Sequence, residues 1–202
     1  MELVVATKNS KKLREIKDLI KERSLKMTSL SDYPEAPRII ENGDTFKENA
    51  IKKAVKISRY AGCLTLGEDS GLCIEALKGE PGVRSSRFSG KNKSDLANNH
   101  KVLRLMEEVP PGSRKAFYVC AVALADCGRL LSVKEGKCYG VIASKQRGSS
   151  GFGYDPLFII PGYGKTFAQL GEGVKHRISH RYHAMKQMRE VIKKYIEKQR
   201  DS

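Results

Sequence analysis

The sequence predicts an α/β fold built on a mixed sheet. Three observations carry that expectation. The chain opens with a short apolar run, a polar turn and an amphipathic helix; strand-like and helix-like patterns then alternate; and two long strand-like stretches joined by a tight turn occupy the middle.

Leu3 to Ala6 is apolar without interruption, as in a buried strand, and Thr7 to Lys12 forms the polar turn after it. Leu13, Ile16, Leu19 and Ile20 follow at helical spacing. A second helix is expected from about Thr45 to Arg59. Thr45 and Glu48 have capping-box spacing, and Phe46, Ala50, Ile51, Ala54 and Val55 form the apolar stripe. Leu64 to Leu66 and Leu72 to Leu77 read as strands on either side of a turn, Gly67-Glu68-Asp69-Ser70-Gly71. Asn92 to Glu108 reads as a helix stopped by Pro110-Pro111. Ala116 to Ala125 and Leu130 to Ile142 are the long strand-like stretches, turning at Asp126-Cys127-Gly128. A glycine-rich loop, Gly148 to Pro156, leads into a short strand, Leu157 to Ile160. The last helix begins near Ser179 and carries Ala184, Met185, Met188, Val191, Ile192, Tyr195 and Ile196 on one face.

The 202 residues fit a single domain spanning 1–202, with room for two lobes around a cleft. Hydrophobic residues make up 40%, enough for a sizeable core. No stretch reaches the roughly 18 apolar residues of a membrane span. The N-terminal basic residues follow the apolar run instead of preceding it, unlike a signal peptide. The cytosol is therefore the default location. Cys63, Cys73, Cys120, Cys127 and Cys138 are odd in number and lack CxxC spacing, which argues against a disulfide framework or a zinc site. The net charge of +15 suits a polyanionic partner, either nucleic acid or a phosphorylated small molecule. Charge alone does not separate the two, and solvated helix faces account for many of the lysines.

Four polar segments concentrate the candidate chemistry. Thr7, Lys8, Asn9, Ser10, Lys11 and Lys12 offer hydroxyl, amide and ammonium donors where a helix starts after a strand, a place suited to phosphate. They contain no glycine, so this is not a Walker A loop, and a plain helix cap fits them too. Glu41, Glu68 and Asp69 with Ser70 can hold Mg²⁺ through carboxylate oxygens; a solvated acidic turn has the same spacing. Phe152, Gly153, Tyr154 and Asp155 combine a stacking face with a carboxylate for a base or sugar, or are a turn with two core aromatics. Lys175, His180 and Arg181 lie about the start of the last helix, where cations could bind phosphate or donate to a purine O6, or lie on an ordinary basic surface.

Together these segments resemble one family, the Ham1-like ITP/XTP pyrophosphatases. The resemblance rests on TKNSKKLREI at 7–16, ENGDTFKENAIKKA at 41–54, EDSGL at 68–72, GEPGVRSSRFSG at 79–90, GFGYDPLF at 151–158, GKTFAQL at 164–170 and ISHRYHAMK at 178–186, in family order over nearly the whole chain. It implies Mg²⁺-dependent hydrolysis of non-standard purine nucleotides (ITP, dITP, XTP) to the monophosphate and pyrophosphate. It also implies an elongated mixed sheet with flanking helices, two lobes around a central active-site cleft, and a homodimer. By the same resemblance Thr7 to Lys12 is the triphosphate-binding turn and Asp69 the catalytic carboxylate, a metal ligand or proton acceptor. Ser70 lies against substrate, Phe152 to Asp155 wall the base and sugar, and Lys175, His180 and Arg181 are further substrate contacts. Three positions depart from the family pattern. Ser150 stands where a second glycine is common, His176-Arg177-Ile178 replaces an Asn/Ser-containing stretch, and Ile40-Glu41 replaces an acidic pair.

Two other functions compete. A Maf-type pyrophosphatase for modified pyrimidines or dTTP would share the general fold, but the SHR and FGYD segments oppose it. A nucleic-acid-binding module would use the basic surface, but the chain has no recognisable recognition helix, zinc finger or aromatic platform. Nucleic acid is therefore not expected as a substrate, nor a membrane as a partner.

Overall fold

The computed structural model describes residues 1–22, 24–90 and 94–200. Its elements run β1 (Glu2–Val5), α1 (Ser10–Ile20), β2 (Lys26–Ser29), α2 (Phe46–Ala61), β3 (Thr65–Ile74), α3 (Asp95–Leu105), β4 (Lys115–Asp126), β5 (Arg129–Ile142), β6 (Phe158–Ile160), β7 (Lys165–Thr166), α4 (Phe167–Leu170), α5 (Glu172–Ile178) and α6 (His180–Arg200). Among the described residues seven strands form one sheet, ordered β2-β1-β3-β4-β5-β6-β7. β1 pairs parallel with β2 and β3, whereas β6 pairs antiparallel with β5 and β7. The α/β class with a mixed sheet is therefore the observed one. No helix among the described residues is long and apolar enough to cross a membrane.

The chain divides into two compact units. The first comprises Met1–Asp69, Cys120–Gly136 and the chain from Arg181 onward. Its core joins Leu3 and Val5 of β1, Ile16 and Ile20 of α1, Leu66 of β3, Val122 and Leu124 of β4, and Ala184, Met185, Met188 and Ile192 of α6. The apolar stripe expected for the last helix is thus its buried face. The second unit comprises Ser70–Val119 and Lys137–His180, and packs Leu72, Ile74, Val102, Met106, Tyr118, Phe158 and Phe167 together.

Several local expectations need correction. Gly67 to Gly71 is not a turn: β3 runs unbroken through it, and the stretch from Glu75 to Leu77 is a 3-10 turn instead of strand. The glycine at 67 permits close packing instead of a reversal. A Cβ there would lie 2.2 Å from the Ala50 carbonyl oxygen and 2.6 Å from the Ala54 nitrogen, so α2 rests directly on the strand. The buried face of α2 is also rotated from the expected one. Phe46, Asn49, Ala50, Lys53, Ala54, Ile57 and Ser58 are buried, while Ile51 and Val55 are only half-buried. Thr45 caps this helix by accepting from the Glu48 N–H, but Glu48 turns back to the Asp44 N–H, so the reciprocal bond is displaced by one residue. The third helix starts at Asp95 behind a Ser94 cap; Asn92 and Lys93, included in the expected helix, lie outside the described residues. β2, β7, α4 and α5 are not among the expected elements, and Lys175 lies within α5.

The contact at Gly67 makes a direct prediction. Gly67→Ala places a methyl group against helix backbone, which has no rotamer to yield, and overpacking of this kind costs about 1–3 kcal/mol. For a chain of this length that lowers Tm by roughly 2–12 °C. Thermal denaturation monitored by circular dichroism checks it, and an unchanged Tm would show that α2 does not sit on the strand here.

Candidate active site

Glu68 and Asp69 are consecutive in β3, so their side chains leave opposite faces of the strand. Both are buried, and two buried carboxylates need compensating donors. Each finds its own set. Asp69 is gripped from α2: its Oδ1 accepts from Lys53 Nζ at 2.9 Å and its Oδ2 from Asn49 Nδ2 at 3.2 Å. Asn49 and Lys53 are four residues apart and so share a helix face. Asn49 also accepts from the Gly43 N–H at 2.8 Å, tying the loop before α2 to the same point. From that loop Glu41 brings Oε2 to 3.2 Å from Lys53 Nζ, so two carboxylates converge on one ammonium. Burial opposes the charge of Lys53, but Asp69, Glu41 and Glu68 outweigh it and raise its pKa. For Asp69 the balance goes the other way. Burial pushes its carboxyl above the ordinary range against the pull of Lys53 and Lys12.

Glu68 is held by different cations. Its Oε2 accepts from Lys12 Nζ at 2.8 Å, and its Oε1 accepts from Arg181 Nη2 at 3.0 Å, with the Cys120 thiol at 3.4 Å. Arg181 also bonds Glu15 of α1 through Nη1. Burial disfavours its charge, but Glu68 and Glu15 outweigh that and hold its pKa above that of a free arginine. Burial and the adjacent Glu68 push the Cys120 thiol well up, leaving it a neutral donor.

The polar turn after β1 is ordered by its own side chains. Asn9 caps α1, its Oδ1 accepting from the Lys11 and Lys12 N–H groups at 3.0 and 3.1 Å, and the Asn9 N–H donates to Thr7 Oγ1. Lys8, Asn9, Ser10 and Lys11 are exposed, and Lys12 is half-buried.

The second unit carries its own buried acid and lysine. Asp155 Oδ2 accepts from Lys175 Nζ at 2.7 Å and from the Phe152 N–H at 2.9 Å. The Lys175 ammonium lies 4.5 Å from the centroid of the Phe152 ring, a cation–π placement. The turn needs glycine at 151, where φ is +83° and a Cβ would meet Asp155 Oδ2 at 2.1 Å. Tyr154 donates its hydroxyl to the Ser85 carbonyl at 2.8 Å. His180 stacks on Tyr118 with ring centroids 4.6 Å apart and 10° between planes. Ser70 is half-buried in β3.

The structure thus groups Asp69 and Glu41 around Lys53, and Glu68 with Lys12 and Arg181, in the first unit, and brings Phe152, Asp155 and Lys175 together in the second. The sequence reading missed Asn49, Lys53 and Glu15 in the first, and Tyr118 in the second. A signal existed for two of them: Asn49 and Lys53 fall in register with Phe46, Ala50, Ala54 and Ile57 on the buried face of α2.

Among the described residues no three His, Cys, Asp or Glu side chains form a ready cage. Mg²⁺ requires less, one or two carboxylates together with water and substrate phosphate oxygens. Asp69 and Glu41 are two hard oxygen donors at Lys53, so the ion would sit beside that ammonium and not in its place. Glu68, also expected as a ligand, leaves the other face of β3 from Asp69 and is engaged by Lys12 and Arg181. Arg181, expected to reach a purine O6, is 1% exposed with its Nη atoms on two carboxylates.

Residues 3–191 match the model of the Ham1 family. The chain is 48% identical over 191 residues to a dITP/XTP pyrophosphatase of Shouchella clausii, covering 95% of this chain and 96% of the relative. A dITP/XTP pyrophosphatase of Desulforamulus reducens is 44% identical over 192 residues, with coverage of 95% and 96%. Among solved structures, a HAM1 protein from Coxiella burnetii superposes with a TM-score of 0.87 at 38% identity, covering 96% of this chain and 99% of that one.

The Arg181 linkage is testable without reference to activity. Arg181→Ala removes the cation shared by two buried carboxylates, a loss on the order of 3–5 kcal/mol. Tm is expected to fall by about 6 °C or more. A variant that melts with the wild type would show that the guanidinium does not hold these acids.

Proposed function

The chain belongs to the Ham1 family, and on that footing we infer that it is a nucleoside-triphosphate pyrophosphatase. It hydrolyses non-standard purine nucleotides, ITP, dITP and XTP, to the monophosphate and pyrophosphate. The observation that carries the chemistry is the buried Asp69 carboxylate, oriented by Lys53 and Asn49, with Glu41 on the same ammonium.

In this reading water adds to the α-phosphorus, the bond between that phosphorus and the bridging oxygen breaks, and pyrophosphate leaves. Asp69 takes the proton of the attacking water. Its raised pKa suits a proton acceptor better than an ordinary exposed carboxylate would. Lys53 and Asn49 fix the carboxylate in one rotamer. Asp69 and Glu41 are the residues that would hold Mg²⁺, which offsets phosphate charge and polarises phosphoryl oxygen when bound. Glu68 is assigned to structure: it carries Lys12 and Arg181 and so anchors α1 and α6 to β3. Lys8, Ser10, Lys11 and Lys12 are proposed to meet the triphosphate. Phe152 and Asp155, set by Lys175, are proposed to meet the base and sugar, with Ser70 and His180 as further contacts. Arg181 acts through the acids it holds. A homodimer belongs to the same reading.

A nucleotide panel with Mg²⁺ tests the function. ITP, dITP and XTP should turn over well ahead of ATP and dTTP, releasing pyrophosphate without orthophosphate. Orthophosphate release with accumulation of diphosphate would mean that the cleaved bond is wrong, and preference for dTTP would place the chain with the Maf-type enzymes.

Asp69→Asn tests the carboxylate itself. The amide keeps the size but loses the charge, and it offers one acceptor where the carboxylate offers Lys53 and Asn49 two. In the variant kcat is expected to fall by about 10²–10⁴. Near-wild-type turnover at saturating Mg²⁺ would remove Asp69 from the reaction.

A further inference from the structure

The loop Phe152–Asp155 is held from outside as well as from within. Gly153 at its tip has φ +64°. Its N–H donates to Asp95 Oδ2 at 2.8 Å, and its carbonyl accepts from Asn99 Nδ2 at 2.9 Å. Asp95 and Asn99 are four residues apart in the first turns of α3, so one helix face grips both polar groups of a single residue. Asn99 is 2% exposed, and its Oδ1 is buried without a hydrogen-bond partner among the described residues. Leaving a buried acceptor unsatisfied is costly. An asparagine at such a place therefore has its reason in the amide donor, which a carbonyl oxygen requires and an apolar residue cannot provide. The preceding residue of the helix strengthens the grip. Asn98 accepts from the Ser89 N–H at 2.7 Å and donates to the Ser85 carbonyl, the same carbonyl that receives the Tyr154 hydroxyl.

We propose that Asp95 and Asn99 are positioning residues that set the nucleobase loop by clamping Gly153 from α3, and so determine how tightly the base end of the substrate is bound. The proposal rests on the assignment of Phe152–Asp155 to the base and sugar. Inside the loop, Asp155 and Lys175 fix the Phe152 N–H and the face of its ring. The α3 clamp fixes the peptide immediately after that ring. With both in place the Phe152 side chain is oriented before a base arrives, and the ordering cost falls on folding instead of on binding.

Steady-state kinetics on ITP with Mg²⁺, using Asp95→Ala, Asp95→Asn and Asn99→Ala, test the proposal. Inhibition by the product pyrophosphate, which carries no base, is measured alongside. Losing one of these hydrogen bonds is expected to raise KM for ITP by about threefold to tenfold. The expected pattern has kcat within about twofold of wild type, the inhibition constant of pyrophosphate unmoved, and Asp95→Asn, which keeps an acceptor, close to wild type. A merely structural role would move KM and the pyrophosphate constant together, and that result overturns the proposal. So does an unchanged KM in Asp95→Ala, whose exposed position makes folding failure no obstacle if Asn99→Ala misfolds. A wild-type protein inert toward ITP would sink the pyrophosphatase function and the clamp with it, whereas an active wild type with an unmoved KM sinks the clamp alone.

Discussion

Two consecutive carboxylates in the middle of a buried strand are the constraint on which the first unit is organised. Glu68 and Asp69 cannot be left uncompensated in a low-dielectric interior, and the pleat of β3 forbids them a common partner on one face. The chain solves this with separate cations. Lys12 and Arg181 serve Glu68, and Lys53 with Asn49 serves Asp69. Since these partners come from α1, α6 and α2, satisfying the two acids also fixes three helices against the strand. A polar requirement thus does positional work beside the apolar core of Leu3, Ile16, Leu66 and Met185.

The second unit repeats the device at smaller scale. Asp155 and Lys175 are buried together, with the Phe152 ring beneath the ammonium. A buried pair of this kind adds little net stability compared with apolar residues of similar volume, but losing one member is expensive. Its value is directional, because the carboxylate also accepts the Phe152 N–H and thereby fixes the turn. The two glycines permit that geometry, one by admitting Asp155 beneath the backbone and the other by its left-handed φ. Stiffness here comes from side-chain-to-backbone bonds, since the turn itself has no regular ladder.

Much of the fold was legible because apolar periodicity survives in α1, α6, β4 and β5. The errors came where polar residues had gone inside. In α2 a lysine reads as a solvent residue, so the stripe was drawn through Ile51 and Val55, and the face holding Asn49 and Lys53 was missed. In β3 the sequence Gly-Glu-Asp-Ser-Gly has the composition of a turn, yet it is strand, with α2 packed against Gly67. For the candidate site, motif order indicated Asp69, Asp155 and Lys175. It could not indicate which cation serves which acid, because the partners lie far apart in sequence: Glu15 and Arg181 are 166 residues apart. Arg181 shows the consequence. Tertiary contacts make it a counter-ion of two acids, which its place beside a helix start does not reveal.

On the proposed function, the turn after β1 bears on how a triphosphate is recognised. In a glycine-rich phosphate loop, backbone N–H groups at a helix start meet the anion. Here the Lys11 and Lys12 N–H groups are already engaged by Asn9 Oδ1, and none of the six residues from Thr7 is a glycine that would let the chain wrap closely around a phosphate. On the proposed function, phosphate binding at this turn therefore falls to side chains, to Lys8, Ser10, Lys11 and Lys12. Ammonium groups on flexible stems act as point charges and impose little geometry on what they bind. In a protein of net charge +15 they attract any polyphosphate, with a strength that falls as salt rises. A phosphate site of that kind does not tell one nucleotide from another. Discrimination must then come from the base end, where the ordered loop around Phe152 and Gly153 lies, and the stiffness of that loop matters more to selectivity than the charge of the phosphate turn.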